Sequence, residues 1–426
     1  KMKKILFVSF CIWSTFSISQ KQANRILLNH GFLHIGNGEI ISNAIIGIKE
    51  GKIKFVRNAL AYRIREHEWD TIIDLNGQHV YPGFVAPNST LGLTEIDAVR
   101  ATNDFREVGK FNPHVRSLIA YNVESRVIET VRTNGVLLAQ ACPRGNRISG
   151  TSSVMHLGGW NWEDAAVKID DGIHLNWPNS INFVSWKNKS LKKNDQYEKQ
   201  KAEITQFFDY AKVYSKNPSK QKNDLRFHAM KDLFEGKKRL YIHANQIQQL
   251  LDIIEFCKIQ GVKYPVIVGG YDAYLVTERL RDANIPVMLQ RVHSLPKNED
   301  DPVDLPYRLP YLLKKGGVKF CLQNAGDMEA MNARNLPFLA GTAKAYGLSE
   351  EEAIQSISLS ACEIMGLDKN YGSIEVGKKA SLFVSKGNAL EMISNDITLI
   401  LMNGAFFPVK NRQQDLYEKF KKKYGM

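Results

Sequence analysis

Between Val136 and Leu322, short unbroken apolar runs keep returning, separated by stretches with helical spacing, and this alternation limits what the chain can fold into. The runs are Val136-Leu137-Leu138-Ala139-Gln140, Leu240-Tyr241-Ile242-His243-Ala244, Val266-Ile267-Val268, Val287-Met288-Leu289 and Val318-Lys319-Phe320-Cys321-Leu322. Helices are predicted between and after them, including Gln246 to Gln260 and Ser349 to Met365. A strand that is apolar at nearly every position must be covered on both faces, which is the condition of a parallel sheet or barrel layered by helices. The flanks differ. Residues Asn24 to Gly77 carry β-type runs (Ile26 to Leu28, Ala44 to Ile48, Lys52 to Val56) divided by the turns Gly36-Asn37-Gly38 and Glu50-Gly51-Lys52. A similar pattern returns at Ala380 to Val384 and Ile397 to Met402, before Asn403-Gly404. Two β regions around a long α/β middle predict one small β-sandwich assembled from both ends of the chain. Ser185 to Asn223, rich in Lys, Asn and Gln, reads as an exposed helical excursion or loop.

A length of 426 residues suits a barrel of about 250 residues with a smaller companion domain. The N-terminus has a basic start (Lys1, Lys3, Lys4), an apolar run from Ile5 to Trp13 and a small polar stretch from Ser14 to Ser19. This pattern predicts a cleaved secretory signal peptide over residues 1–20, and so a secreted or periplasmic protein with no stable membrane span after cleavage; a short anchor is the alternative. Cys142, Cys257, Cys321 and Cys362 are widely spaced in apolar contexts, which predicts buried free thiols ahead of a disulfide or metal cluster. The net charge of +13 raises nucleic acid as a partner. The basic residues, however, fall in separate clusters at Lys187 to Lys201, Lys216 to Lys222 and Lys419 to Lys423, with no interleaved aromatic groove. They read as solvated faces and a tail, and nucleic acid is excluded as an expected partner; attraction to anionic surfaces stays open.

Val80-Tyr81-Pro82-Gly83-Phe84-Val85 marks the hand-over from the first β region to the middle. Asn335-Leu336-Pro337-Phe338, Ser358-Leu359-Ser360-Ala361, Gly366-Leu367-Asp368 and Gly372 to Leu382 follow in order. Together these motifs resemble the amidohydrolase superfamily along nearly the whole chain, in the flavour of secreted imidazolonepropionase-like members, although Ser381 stands where an Asp is usual. The resemblance implies an α/β fold: a metal-dependent-hydrolase type (β/α)8 TIM barrel over 81–370, a β-sandwich from 21–80 and 371–410, and a basic tail over 411–426.

The same resemblance implies a metal centre that this sequence departs from. The family places two His on the first strand, His on the fifth and sixth, Asp on the eighth and often a lysine on the fourth. Those donors hold Zn²⁺, which acidifies a bound water, while the Asp serves as general base. Here the first-strand positions are Asn88 and Thr90, with Ala86 before them. His243 survives on the fifth strand, Val268-Gly269-Gly270-Tyr271 offers no imidazole at the sixth, and Gln323-Asn324-Ala325-Gly326-Asp327 ends the eighth. Lys168 is the nearest candidate for the fourth-strand lysine. No cofactor is therefore expected, and Zn²⁺ or another divalent metal, with His243 as a weak ligand, rests on resemblance alone.

If the chain hydrolyses its ligand, His243 and Asp327 are the catalytic candidates, and Asn88, Thr90, Arg144, Gln323 and Asn324 the substrate-binding ones. Against this, the polar residues can simply fill a vacated site with mutual hydrogen bonds, and Arg144 can hold an anionic group or pair with an acidic neighbour. His156, His174, Trp160 and Trp162 form the richest aromatic and polar segment, where packing is expected ahead of substrate contact. Two functions follow. One is an amidohydrolase-type protein acting on or binding a non-peptide C–N bond of the cyclic amide or imide class. The other is a catalytically inactive homologue serving as a binding protein or as partner of an active paralogue. The expected partners are a small-molecule ligand and a second copy or paralogous amidohydrolase.

Overall fold

The computed structural model describes residues 25–185, 190–216 and 223–425; the expected signal peptide lies outside the described residues. Eight strands form a nearly closed barrel in chain order. They are β1 (Phe84–Ser89), β2 (Val136–Ala141), β3 (Ile148–His156), β4 (Ala166–Asn176), β5 (Arg239–Ala244), β6 (Pro265–Gly269), β7 (Val287–Leu289) and β8 (Phe320–Leu322). Every residue of β1, β2, β3 and β6 is buried, as strands covered on both faces must be. Ala244, Gly269, Leu289 and Leu322 sit level across β5 to β8, so these strands end together at one rim. Between β8 and β1 no ladder is formed among the described residues, and Val85 N–H donates instead to the carbonyl of Ile357 at 2.8 Å. That use of Ile357 falls where the expected helix from Ser349 to Met365 breaks into two, Glu350–Ser356 and Leu359–Met365.

One strand runs against the rest. β3 is antiparallel to both β2 and β4. The reason is covalent: only residues 142–147 join β2 to β3, whereas a parallel return needs a crossover of about a dozen residues. The short loop cannot leave the barrel mouth, and it carries Arg144.

The two flanking β regions join in one eight-stranded sheet. Its edge strand Lys52–Asn58 folds back onto the segment that leads into Leu382–Ser385, with Ile53 N–H donating to the carbonyl of Lys378 and Ala380 N–H to that of Gly51, both at 2.9 Å. Ile26, Ile46, Ile53, Val80, Leu382 and Leu401 thereby share one core. Tyr81, Phe84 and Phe383 stack where this sheet meets the barrel.

The segment after Ser185 is more ordered than expected. Ile181–Ser185 pairs with Ser190–Lys193, and the helix Tyr197–Lys216 buries Ile204, Phe207, Phe208 and Ala211. Its apolar residues recur at helical spacing and were masked by the lysines between them; residues 186–189 and 217–222 lie outside the described residues. Among the described residues, Cys142, Cys257, Cys321 and Cys362 are free and buried. Among the described residues no helix is long and apolar enough to cross a membrane. The basic tail is a helix, Arg412–Tyr424, with no buried residue.

Candidate functional site

At the end of β1, Asn88 takes a left-handed backbone conformation, φ 49°, which asparagine tolerates better than most residues. Its backbone N–H donates to Gln140 Oε1 at 3.0 Å and its side-chain Nδ2 to Gln323 Oε1 at 2.5 Å. Arg144 reaches over from the β2–β3 loop. Its Nη1 donates to Asn88 Oδ1 at 2.9 Å and its Nη2 to the Asn88 carbonyl at 2.7 Å. The same guanidinium pairs with Glu329, Nη2 lying 2.9 Å and Nε 3.0 Å from Oε1. Glu329 Oε2 in turn accepts from Gly326 N–H at 2.9 Å. Because these side chains are only 18% and 11% exposed, the pair is weakly screened by solvent.

Beneath this pair the network continues inward. Gln140 Nε2 donates to Asp171 Oδ2 at 2.9 Å, Ser152 Oγ to Oδ1 at 2.6 Å, and Tyr241 Oη to Oδ2 at 2.6 Å. Asp171 is fully buried, and its carboxylate is held by three neutral donors. Burial first, and then the Asp171 charge, raise the Tyr241 phenol well above its usual value and keep it a donor.

Two imidazoles face each other across β4 and β5, His174 Nδ1 lying 3.0 Å from His243 Nε2. Burial, reinforced by the Arg144 charge, pushes His243 down to about 3. Burial, then His243 and then Arg144 push His174 well below the ordinary range. Both rings are neutral at neutral pH. His174 Nε2 is buried without a hydrogen-bond partner among the described residues, as is Asn324 Nδ2.

These donors do not fit a divalent cation. In the neutral pair one ring's N–H is donated to the other's lone pair, so the two imidazoles together leave a single lone pair, short of the three or more donors a divalent ion needs. The first-strand position is an amide already committed to Gln323 and Arg144. A fixed guanidinium, whose charge both histidines feel, occupies the mouth beside it. Among the described residues no group of three or more His, Cys, Asp or Glu is placed to hold a metal.

The predicted site residues therefore divide. Asn88, Arg144 and Gln323 form one hydrogen-bonded set, with Asn324 buried next in chain. His243 lines a polar cavity of about 450 Å³ with Arg147, Asn176, Asn179, Asn182, Gln200 and Asn245. Thr90 and Asp327 line a different cavity, of about 390 Å³, with Asp97 and Glu329. Asp327 is exposed, and no hydrogen bond or ion pair joins it to His243 among the described residues. Lys168 donates to the Met365 carbonyl at 2.7 Å. His156 bonds Tyr371 and Asn403 at the barrel's other end. Trp160, expected to pack, is 93% exposed.

Sequence reasoning missed Gln140, Asp171 and Glu329. Gln140 was legible in principle, since it interrupts a run that is otherwise apolar, whereas Asp171 stands beside Asp170 in a strand that also carries Lys168 and His174 and so did not stand out. Glu329 gave no local signal, because only the folded loop brings it to Arg144.

A family model described as the amidohydrolase family matches residues 170–412, more than half of the chain. Among solved structures, an amidohydrolase from Thermotoga maritima MSB8 superposes with a TM-score of 0.79 at 24% identity, covering 90% of this chain and 99% of that one. A prolidase complexed with N-methylphosphonate-L-proline gives 0.54 at 16% identity, with coverage of 90% and 99%. An adenosine deaminase from Xanthomonas campestris with bound zinc gives 0.52 at 13%, with coverage of 89% and 92%. At these identities the structural likeness speaks to the fold alone. No match is found among curated proteins. On the family match, this chain belongs to the amidohydrolase family.

Proposed function

We propose that this chain is a ligand-binding member of its family that does not hydrolyse what it binds, and that its ligand is a small molecule of the cyclic amide or imide class. The observation that carries this reading is Arg144, which bridges Asn88 and Glu329 at the end of β1. Hydrolysis of a C–N bond needs a hydroxide made by a metal or a base aimed at water. The mouth instead offers a guanidinium already saturated by its neighbours, and an imidazole whose Nε2 is shared with His174. The cavity beside His243 supports the ligand class. Its wall is built of carboxamides, Asn176, Asn179, Asn182, Gln200 and Asn245, with Arg147. Such groups present donors and acceptors side by side, the complement of a cyclic amide's own N–H and C=O.

The test combines metal analysis with turnover. Protein purified in excess Zn²⁺ is expected to retain no stoichiometric metal and to leave dihydroorotate-like and imidazolone-like substrates intact, while calorimetry detects binding of a cyclic imide. Stoichiometric zinc with turnover would overturn the reading.

A further inference from the structure

The helix Arg412–Tyr424 is tied to the barrel at its start, where Thr130 Oγ1 donates to Gln413 Oε1 at 3.0 Å and Asn411 Nδ2 to Thr133 Oγ1 at 2.9 Å. Beyond that tether none of it is buried: all 13 residues are exposed. Packing supplies most helical stability in proteins, and a helix of this length is marginal in water on its own. Its side chains are nevertheless sorted. At about 100° per residue, Leu416, Tyr417, Phe420 and Tyr424 fall on one arc of about 100°. They are 39%, 61%, 46% and 67% exposed. Arg412, Lys419 and Lys423 border this arc on one side and Lys421 on the other, while the helix's acids, Asp415 and Glu418, lie on the opposite face. Asp415 is held by Lys410. The bordering cations have no carboxylate partner among the described residues. Lys421 and Lys423 lie instead over the rings of Tyr417 and Tyr424, 5.7 and 5.2 Å from the centroids, so their stems follow the apolar face.

We propose that this helix docks the protein on a bilayer surface rich in anionic lipid, lying flat with Leu416, Tyr417, Phe420 and Tyr424 in the headgroup boundary. Cations bordering an apolar arc, with the acids turned away, complement negative headgroups above hydrocarbon: the rings and the leucine enter the boundary while the ammoniums reach the phosphates. The helix is too short to cross, about 20 Å at 1.5 Å per residue against a hydrocarbon core of about 30 Å. A second copy is a poorer occupant, because pairing through the arc brings the basic borders of two helices against each other. This surface is separate from the mouth and does not depend on what the mouth binds.

The experiment mixes the full chain with vesicles of phosphatidylcholine, alone or with about one third phosphatidylglycerol, and measures the bound fraction by flotation. The protein should bind the anionic vesicles, bind the neutral ones at least about tenfold more weakly, and lose affinity as salt rises from about 0.1 to 1 M. Lys421→Gln with Lys423→Gln should weaken binding about twentyfold, roughly fivefold for each charge removed. Leu416→Gln with Phe420→Gln leaves every charge in place and should also weaken it at least about tenfold. If that apolar variant binds anionic vesicles as the parent does, the attraction is general to a basic protein and the proposal fails. Equal binding to both vesicle types, or none to either, overturns it too, as does a dimer in solution that the same two substitutions dissociate while vesicles go unbound. The substituted side chains are all exposed, and matching thermal midpoints show that the variants are folded.

Discussion

Arg144 holds two partners at once, and its removal strands both. Arg144→Met leaves Glu329 mostly buried without its cation and Asn88 Oδ1 without its donor. Breaking one side of a buried pair costs about 3–5 kcal/mol, and the residual exposure here lowers that to roughly 2–3 kcal/mol. Replacing both partners removes the stranded charge, so Arg144→Met with Glu329→Met should be less destabilised than the sum of the two single variants. Urea midpoints for the four proteins of the double-mutant cycle check this. Asn88, Arg144 and Gln323 could be singled out in the sequence because polar residues at strand ends face the mouth of a barrel. What could not be read was that they bond to each other. Naming His243 and Asp327 together as catalytic candidates lacked that information in the same way: chain order places both near the rim, yet Asp327 is exposed while Glu329 is buried against Arg144.

Among elements, the hinge between the helix Arg126–Arg132 and β2 is tightly constrained. Gly135 has φ +87°, and a Cβ there would lie 2.5 Å from the Phe383 ring. Phe383 is fully buried, stacks on Tyr81 and meets Phe84 edge to face, so it cannot withdraw without opening the contact between sheet and barrel. Gly135→Ala should therefore destabilise by about 2–4 kcal/mol, the strained backbone and the overpacking adding together. A drop in the thermal midpoint of several degrees checks it, with Gly77→Ala as a control, since it has a similar φ of +79° and open space at its Cβ. Strands and helices of this kind were largely visible in the sequence, because burial on two faces leaves continuous apolar runs. The antiparallel β3 was not: its signal was the shortness of the connection at 142–147, and an apolar run looks the same in either direction.

For the whole molecule, folding places neutral imidazoles where protons cannot easily follow. Burial pushes His156 down to about 4, and burial with Arg144 pushes His243 down to about 3, both from an ordinary 6.5. Above pH 6.5 neither the folded nor the unfolded chain protonates these rings, and stability is at its full value. As the pH falls below 6.5 the unfolded chain takes up protons that the folded one refuses, so stability is lost progressively down to about 4 for His156 and about 3 for His243. By pH 5 the loss is on the order of 2 kcal/mol per histidine. Carboxylates held low by partners, such as Asp224 and Glu203, add their own losses only at more acid pH. Asp97 and Asp272, raised by burial, act in the opposite sense and offset part of the fall. Urea midpoints between pH 7.5 and 5 should therefore decline steadily. His156→Gln, which cannot take up a proton, should show the shallower profile, and a flat profile in the parent chain would contradict the assignment. The burial behind this behaviour follows from architecture that was legible in outline. A barrel closed by a sheet from both flanks covers His156 between Tyr371 and Asn403, residues that a sequence alone cannot bring to its side.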